Sequence, residues 1–219
     1  MTSHDSSACT WRSRIGCAVL VCGSVAAGCN GNSMMGPSDG DGQPQASLSM
    51  RVAGNPLVGV QAMLVTFAQL SARRDNGLWV GLTFANGATR TCDLKRLSGP
   101  SDALAVGSFA AGHFNAVRVE LSSATLYFDK AATGPACAPA IDPPAGQNAS
   151  VQLTSRAVVV DHHFSVGPSA TTLTVIFDGD QSITTTDSRF DNGVGDALIR
   201  WPVVPTGVFS MTPVIRIVG

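Results

Sequence analysis

The chain has 219 residues, of which 44% are hydrophobic and 13% are charged, and its formal net charge is −1. Nucleic-acid binding requires a clustered basic face, so this near-neutral composition argues against it. The length that remains after the N-terminal segment suits one large domain or two small ones.

Residues 1–28 have the pattern of a secretory signal peptide. Arg12 and Arg14 precede an apolar run over residues 15–27, which is shorter than the roughly 20 residues that span a bilayer. Small residues and Cys29 follow, and this stretch is similar to the lipobox of bacterial lipoproteins. The similarity implies cleavage before Cys29 and its acylation, palmitate included. A secretory signal that is cut nearby, without lipid, is the alternative.

Residues 29–46 are predicted to be a flexible tether, because residues 30–46 are mostly Gly, Ser, Asn, Asp and Pro. A flexible coil of this length has a typical reach of ~23 Å. Asn30 stands where an Asp retains enterobacterial lipoproteins at the inner membrane. The resemblance therefore implies an outer-membrane lipoprotein that contacts the membrane through its lipid and faces the periplasm or the cell surface.

From residue 47, hydrophobic residues alternate with polar ones, which is the period of half-buried β-strands. Asp75-Asn76-Gly77 and Asn86-Gly87 predict hairpins, since Asn and Gly tolerate positive φ. About eight to ten strands at this spacing are typical of an all-β sandwich or barrel, so residues 47–219 are predicted to form one β-sandwich domain. The alternating hydrophobic residues are Leu48, Met50, Val52, Met63, Val65, Phe67, Val117, Val119, Leu121, Leu173, Val175 and Phe177.

Two cysteines, Cys92 and Cys137, remain for pairing once the signal is removed and Cys29 carries lipid. An even pair in an exported chain predicts a disulfide; a reactive thiol is the alternative. The bridge would hold residues 129–149, a loop rich in Pro, Ala and Gly, against the strand that contains Cys92.

A run of acidic residues near the C-terminus is the candidate metal site. Carboxylate oxygens at a loop are the ligands that calcium prefers, so calcium is the one cofactor considered. The alternative is that these residues cap turns through their own backbone. The run consists of Asp178, Asp180, Asp187, Asp191 and Asp196.

A second metal hypothesis concerns Asp161 and His163, which share a face of a predicted strand and could be joined by His113. Zinc needs three or four converging ligands, and a polar strand end is the alternative. The chain contains neither a Gly-x-Ser-x-Gly nor a His-Glu-x-x-His motif. Its one glutamate, Glu120, is predicted to lie on a solvent-facing position of a strand. No catalytic residue is therefore predicted.

Five motifs follow one another along the chain: "LVTFAQLSARRDNGLWVGL" at 64–82, "CDLKRLSG" at 92–99, "LAVGSFAAGHFNAVRVEL" at 104–121, "TLTVIFDGDQSI" at 172–183 and "GVFSMTPVIRI" at 207–217. Their order resembles a bacterial family catalogued as domain of unknown function 4382. The resemblance implies an exported, often lipid-anchored protein with a Greek-key, transthyretin-like or immunoglobulin-like β-sandwich, and it implies no activity. The chain has Ala53-Gly54-Asn55-Pro56 where the family has Thr-Asp-Ala-Pro, and the segment around Cys137 is an insertion.

These observations predict a non-enzymatic lipoprotein of the cell envelope that acts in binding, adhesion or surface assembly. It would recognise a protein or glycan partner through its loops or by strand addition. A calcium-stabilised periplasmic protein that binds a ligand such as a carbohydrate is the alternative, and a hydrolase is the least favoured reading.

Overall fold

The computed structural model describes residues 45–55, 59–186 and 207–219. These residues form β-strands and one four-residue helix, so the all-β prediction is confirmed. The predicted signal peptide and Cys29 lie outside the described residues. In chain order the elements are β1 (Gln45–Asn55), β2 (Ala62–Arg74), β3 (Trp79–Phe84), β4 (Arg90–Asp93), β5 (Asp102–Ala110), β6 (Gly112–Tyr127), β7 (Cys137–Ala138), β8 (Asn148–Leu153), β9 (Ala157–Val166), β10 (Thr171–Asp178), α1 (Gly179–Ser182), β11 (Ile183–Thr185), β12 (Phe209–Met211) and β13 (Val214–Val218).

The strands belong to one sheet that curls into a half-barrel. Its order is β11-β12-β8-β6-β2-β3-β5-β1-β10-β13, with β4 and β7 branching from β2 and β9 pairing with β6. Most neighbours are antiparallel, whereas β1 with β10 and β12 with β8 are parallel. The centre of the sheet is the long antiparallel pair of β2 and β6.

The alternating hydrophobic residues point to the inside of the curl. All twelve predicted positions are buried, each at most 2% exposed, and they belong to one hydrophobic core cluster. Because successive side chains of a strand point to opposite faces, this alternation leaves the polar residues between them on the outer face. Burial of apolar area is the main free-energy gain of such a fold.

Of the two predicted hairpins, one is confirmed and one is wrong. Asp75-Asn76-Gly77 connects β2 to β3, which pair antiparallel, and Gly77 has φ +86°. At Asn86-Gly87 the chain does turn, with Asn86 at φ +65°. However, β3 and β4 both run antiparallel to β2, along successive parts of it, and do not pair with each other. The chain therefore leaves β2 at the end of β3, turns, and returns to β2 as β4 in the same direction, so the turn does not connect a hairpin.

The register defines two opposite ends of the sheet. At one end, β6 begins opposite the end of β9, since Gly112 faces Val166, and β1 begins opposite the end of β5. We call this the histidine end. At the other end, β2 begins opposite the end of β6, since Ala62 faces Tyr127. We call this the disulfide end, because β4 brings Cys92 there beside β2.

Candidate functional site

The β2–β3 turn forms the rim of a pocket at the histidine end. The backbone N–H of Gly77 donates to the Arg74 carbonyl at 2.8 Å, and the side-chain Oδ1 of Asn76 accepts from the Leu78 N–H at 3.0 Å. The Asp75 N–H donates to the His113 carbonyl at 3.2 Å, which ties the turn to the start of β6. Local turn chemistry and one contact to β6 thus fix the position of Asp75.

The pocket has a volume of about 190 Å³ and opens to solvent. Its walls come from three places that are distant in sequence: the β2–β3 turn, the start of β6 and the end of β9. This volume lies below the roughly 300–1,000 Å³ typical of pockets for drug-sized ligands, so it suits an ion or one small group. The lining residues are Asp75, His113, Phe114, His163, Phe164 and Ser165.

Cross-strand pairing places the polar lining groups on one face. His113 lies directly opposite Ser165 in the β6–β9 ladder, and its ring Nδ1 is 2.8 Å from Ser165 Oγ. A bulge puts His162 and His163 of β9 opposite the single Asn115 of β6. His163 and Ser165, two residues apart, point to the same side. The face therefore carries two imidazoles and a hydroxyl next to the Asp75 carboxylate.

Asp161, the predicted partner of the two histidines, has a different contact. Its Oδ1 lies 3.3 Å from Nη2 of Arg73 and forms an exposed ion pair with it. Arg73 also donates from Nε to Asn115 Oδ1 at 2.7 Å and lies 5.5 Å from the centre of the Trp79 ring. The pocket thus brings together His113 and His163 as predicted, with Asp75 rather than Asp161 beside them. In the part of the chain that the structure describes, no three His, Cys, Asp or Glu side chains converge as a metal site.

Aromatic rings support the pocket from below. Phe114 is buried and stacks on Phe164 with ring centres 5.1 Å apart, and Phe109 packs on Phe114 at 5.4 Å. His162 stacks on the Phe164 ring at 5.9 Å, so it belongs to this layer and does not line the pocket. The guanidinium of Arg74 covers Phe114 at 5.2 Å. These contacts give the pocket a floor of packed aromatic rings.

The acidic run is only partly described. Asp178 is the N-cap of α1: its Oδ1 accepts from the Gln181 N–H at 3.1 Å. Asp180 lies in the first turn of that helix. Asp178 therefore has the capping role that was the alternative to calcium binding. Asp187, Asp191 and Asp196 lie outside the described residues, and the calcium site stays a prediction.

At the disulfide end, Cys92 and Cys137 form the predicted bridge, which joins β4 to β7 with Cα atoms 4.1 Å apart. The loop around Cys137 covers the outer face of the sheet here. Its Ala132 and Ile141 pack against Leu64 and the buried Tyr127 in a second, small hydrophobic cluster. Burial raises the pKa of the Tyr127 phenol.

Asp93, next to Cys92, is fully buried and was not identified from the sequence. Its Oδ1 accepts from the N–H groups of Met63 at 3.0 Å and Lys95 at 3.1 Å. Its Oδ2 has no hydrogen-bond partner among the described residues. Burial raises the pKa of this carboxyl, against the opposing effect of the two N–H groups and of the charges on Arg96 and Lys95. Asp93 thus fixes β4 to the start of β2.

One further predicted residue, Glu120, lies in the middle of β6. It is half-buried and pairs with Arg118 at 2.8 Å. No helix within the described residues is long and apolar enough to cross a membrane.

Comparison with known sequences and structures gives one match. The sequence model of a family described as "Domain of unknown function (DUF4382)" matches residues 45–192, which is more than half of the chain. No curated protein and no solved structure matches it. The matched region includes the whole pocket and both cysteines of the disulfide.

Proposed function

The chain belongs to the family described as a domain of unknown function (DUF4382), and from this premise we propose that it is a non-enzymatic binding module of the bacterial cell envelope. In this proposal lipid on Cys29 holds the protein at the outer membrane, and a protein or glycan partner binds the β-domain. The observation that carries the binding role is the pocket at the histidine end, where three distant segments place exposed polar groups over a packed aromatic floor.

We propose binding rather than hydrolysis although Ser165, His113 and Asp75 line one pocket. His113 and Ser165 are a cross-strand pair, for which a side-chain hydrogen bond is ordinary. Acyl transfer needs N–H donors aimed at the developing oxyanion. Ser165 lies inside the β6–β9 ladder, opposite His113, and not at a turn that would present such donors. Among the described contacts, the Asp75 side chain makes no hydrogen bond to the His113 ring. A fluorophosphonate probe should therefore leave Ser165 unmodified, and labelling that the Ser165→Ala variant abolishes would contradict the proposal.

The finer architecture that we propose is a Greek-key, transthyretin-like sandwich. The curl of the sheet supports it, because the core cluster joins residues of β2 and β6 with residues of β1 and β10. These two parts of the sheet would be the facing layers of the sandwich. A solved structure in which they do not face each other would reject this assignment.

The anchor is tested by fractionation of cells that express the Cys29→Ser variant. Lipid on this residue would be the membrane attachment, so we expect the variant to leave the membrane fraction while the parent chain stays in it. Cys22→Ser, within the same N-terminal segment, is the matched control and should leave attachment unchanged. Retention of the Cys29→Ser variant would reject lipidation at this position.

The side of the membrane is tested by protease treatment of intact and lysed cells. Digestion of the β-domain on intact cells would favour adhesion or binding of surface polymers. Protection until lysis would direct the search to an assembly partner in the periplasm.

A further inference from the structure

The chain enters the β-domain at the histidine end. β1 begins there at Gln45, opposite Ala110, the last residue of β5, and the predicted tether leads into this strand. The turn between β2 and β3 lies at the same end, beside the start of β6. Only β5 separates β3 from β1 in the sheet, which corresponds to roughly 10 Å at the usual spacing of strands. The turn is therefore close to the point where the tether joins the domain.

The tip of this turn presents an apolar side chain to solvent. Leu78 is 59% exposed, the highest value among the large hydrophobic residues that the structure describes. Trp79 follows it and is half-buried, with the guanidinium of Arg73 at 5.5 Å from its ring centre. In membrane proteins, tryptophan rings lie at the boundary between headgroups and hydrocarbon, and arginine side chains extend from there to the phosphates. The tip therefore combines the side chains that are typical of a bilayer interface.

The carboxylate and guanidinium charges around the tip balance each other. Arg73 forms an ion pair with Asp161, and the next two residues, Arg74 and Asp75, have opposite charges. Arg73 uses Nε and Nη2 in its hydrogen bonds to Asn115 and Asp161, and Nη1 has no partner among the described contacts. Nη1 can donate to a phosphate oxygen. Because the charges cancel, burial of apolar area is the main attraction between this tip and a membrane, whether or not the lipids are anionic.

We propose that the β2–β3 turn docks on the lipid bilayer that anchors the chain, with Leu78 and Trp79 at the level of the headgroups. The inference rests on the proposed lipid on Cys29, because two apolar side chains alone bind a membrane weakly. Treated as a flexible coil, the predicted tether has a reach of ~23 Å. At the roughly millimolar effective concentration that such a linker gives, a weak contact is sufficient. Docking also holds the pocket, which lies at the same end, close to the headgroups.

The test places the lipidated chain in phosphatidylcholine vesicles whose lipids carry bromine on the acyl carbons next to the headgroup. Bromine quenches tryptophan emission only at short range, and the difference between the parent chain and Trp79→Phe isolates the emission of Trp79. We expect this emission to be quenched. Leu78→Ser should reduce the quenching about fivefold, because the most exposed apolar side chain of the tip is lost. Val214→Ser is the matched control: it removes an exposed valine opposite the end of β10, away from the histidine end, and should leave the quenching unchanged.

Sedimentation of the same vesicles separates a failure of the anchor from a failure of docking. A parent chain that does not sediment with the vesicles would reject the lipid anchor, and this inference with it. A chain that sediments with them while the emission of Trp79 stays unquenched would overturn docking at the turn and leave the anchor unaffected. Equal reductions of quenching in Leu78→Ser and Val214→Ser would also overturn it, because the contact would then not be specific to the turn.

Discussion

The two ends of the sheet differ in how their polar groups are held. At the disulfide end, a covalent bridge, a second hydrophobic cluster and the buried Asp93 hold β2, β4 and the long loop together. At the histidine end, single hydrogen bonds and ring contacts hold exposed side chains over Phe114 and Phe164. The comparison indicates that one end stabilises the fold and leaves the other end available for binding. Substitutions at the disulfide end should therefore change stability, and substitutions at the histidine end should change binding.

Removal of the disulfide should give the largest effect. The bridge closes a loop with a sequence separation of 45 residues, for which the chain-entropy model gives about 4 kcal/mol of stabilisation. Urea unfolding of the Cys92→Ala/Cys137→Ala variant, followed by tryptophan fluorescence, should show a loss of this order. A loss of stability under about 1 kcal/mol would break the contrast between the two ends.

A methyl group at Gly54 should have the next largest effect. A Cβ there would meet the backbone oxygen of Leu94, directly after Asp93, and backbone cannot move aside as a side-chain end can. Overpacking of this kind costs about 1–3 kcal/mol, so Gly54→Ala should lower the free energy of unfolding by that amount. Gly81→Ala on β3 is the matched control, because nothing lies within 4 Å of its added Cβ. Equal stability of the two variants would show that the approach of β1 to Leu94 is not close.

The smallest effect concerns the pH dependence of stability at Asp93. Burial raises the pKa of its carboxyl in the folded state, so the folded state binds the proton more tightly than the unfolded state does. The stability that this proton contributes is complete below the unfolded pKa and is lost as pH rises through the folded pKa. Asp93→Asn keeps an oxygen for Met63 and Lys95 but does not titrate. Unfolding by urea should therefore show the parent chain losing stability relative to Asp93→Asn as pH rises above about 4. Parallel pH profiles would contradict the raised pKa of this carboxyl.

The strands could be predicted because their signal is local. Leu48, Met50 and Val52 alternate with polar residues, and this period alone determines which side chains are buried. The prediction of a hairpin at Asn86-Gly87 was wrong. The dipeptide indicates that the backbone can turn there, but it does not indicate which strand the next segment pairs with. Here β2 is long enough to pair with both β3 and β4, so the chain resumes its direction.

The site could be predicted only in part, because its residues meet through the sheet. Period two correctly placed His163 on the face toward His113, but it also suggested Asp161, which Arg73 of β2 pairs with instead. Asp75 was identified as a turn residue. Only the pairing of β2 with β6 and of β6 with β9 shows that the turn lies beside two histidines. The hydrogen bond from the Lys95 N–H to Asp93 Oδ1 is a local turn pattern, because the two residues are close in sequence. The hydrogen bond from the Met63 N–H joins two distant parts of the chain, so the sequence does not predict the buried position of Asp93.

The position of β1 has a mechanical consequence. This strand begins at Gln45, within the last two residues of the predicted tether, and it lies between β5 and β10. It is in register with β5 from Gln45 to Val52 and with β10 from Leu48 to Asn55. A force applied through the tether along the strand axis therefore loads both ladders in shear, and their hydrogen bonds resist together instead of opening one at a time. A domain attached in this way transmits tension into an interior strand of its sheet and not to a free edge.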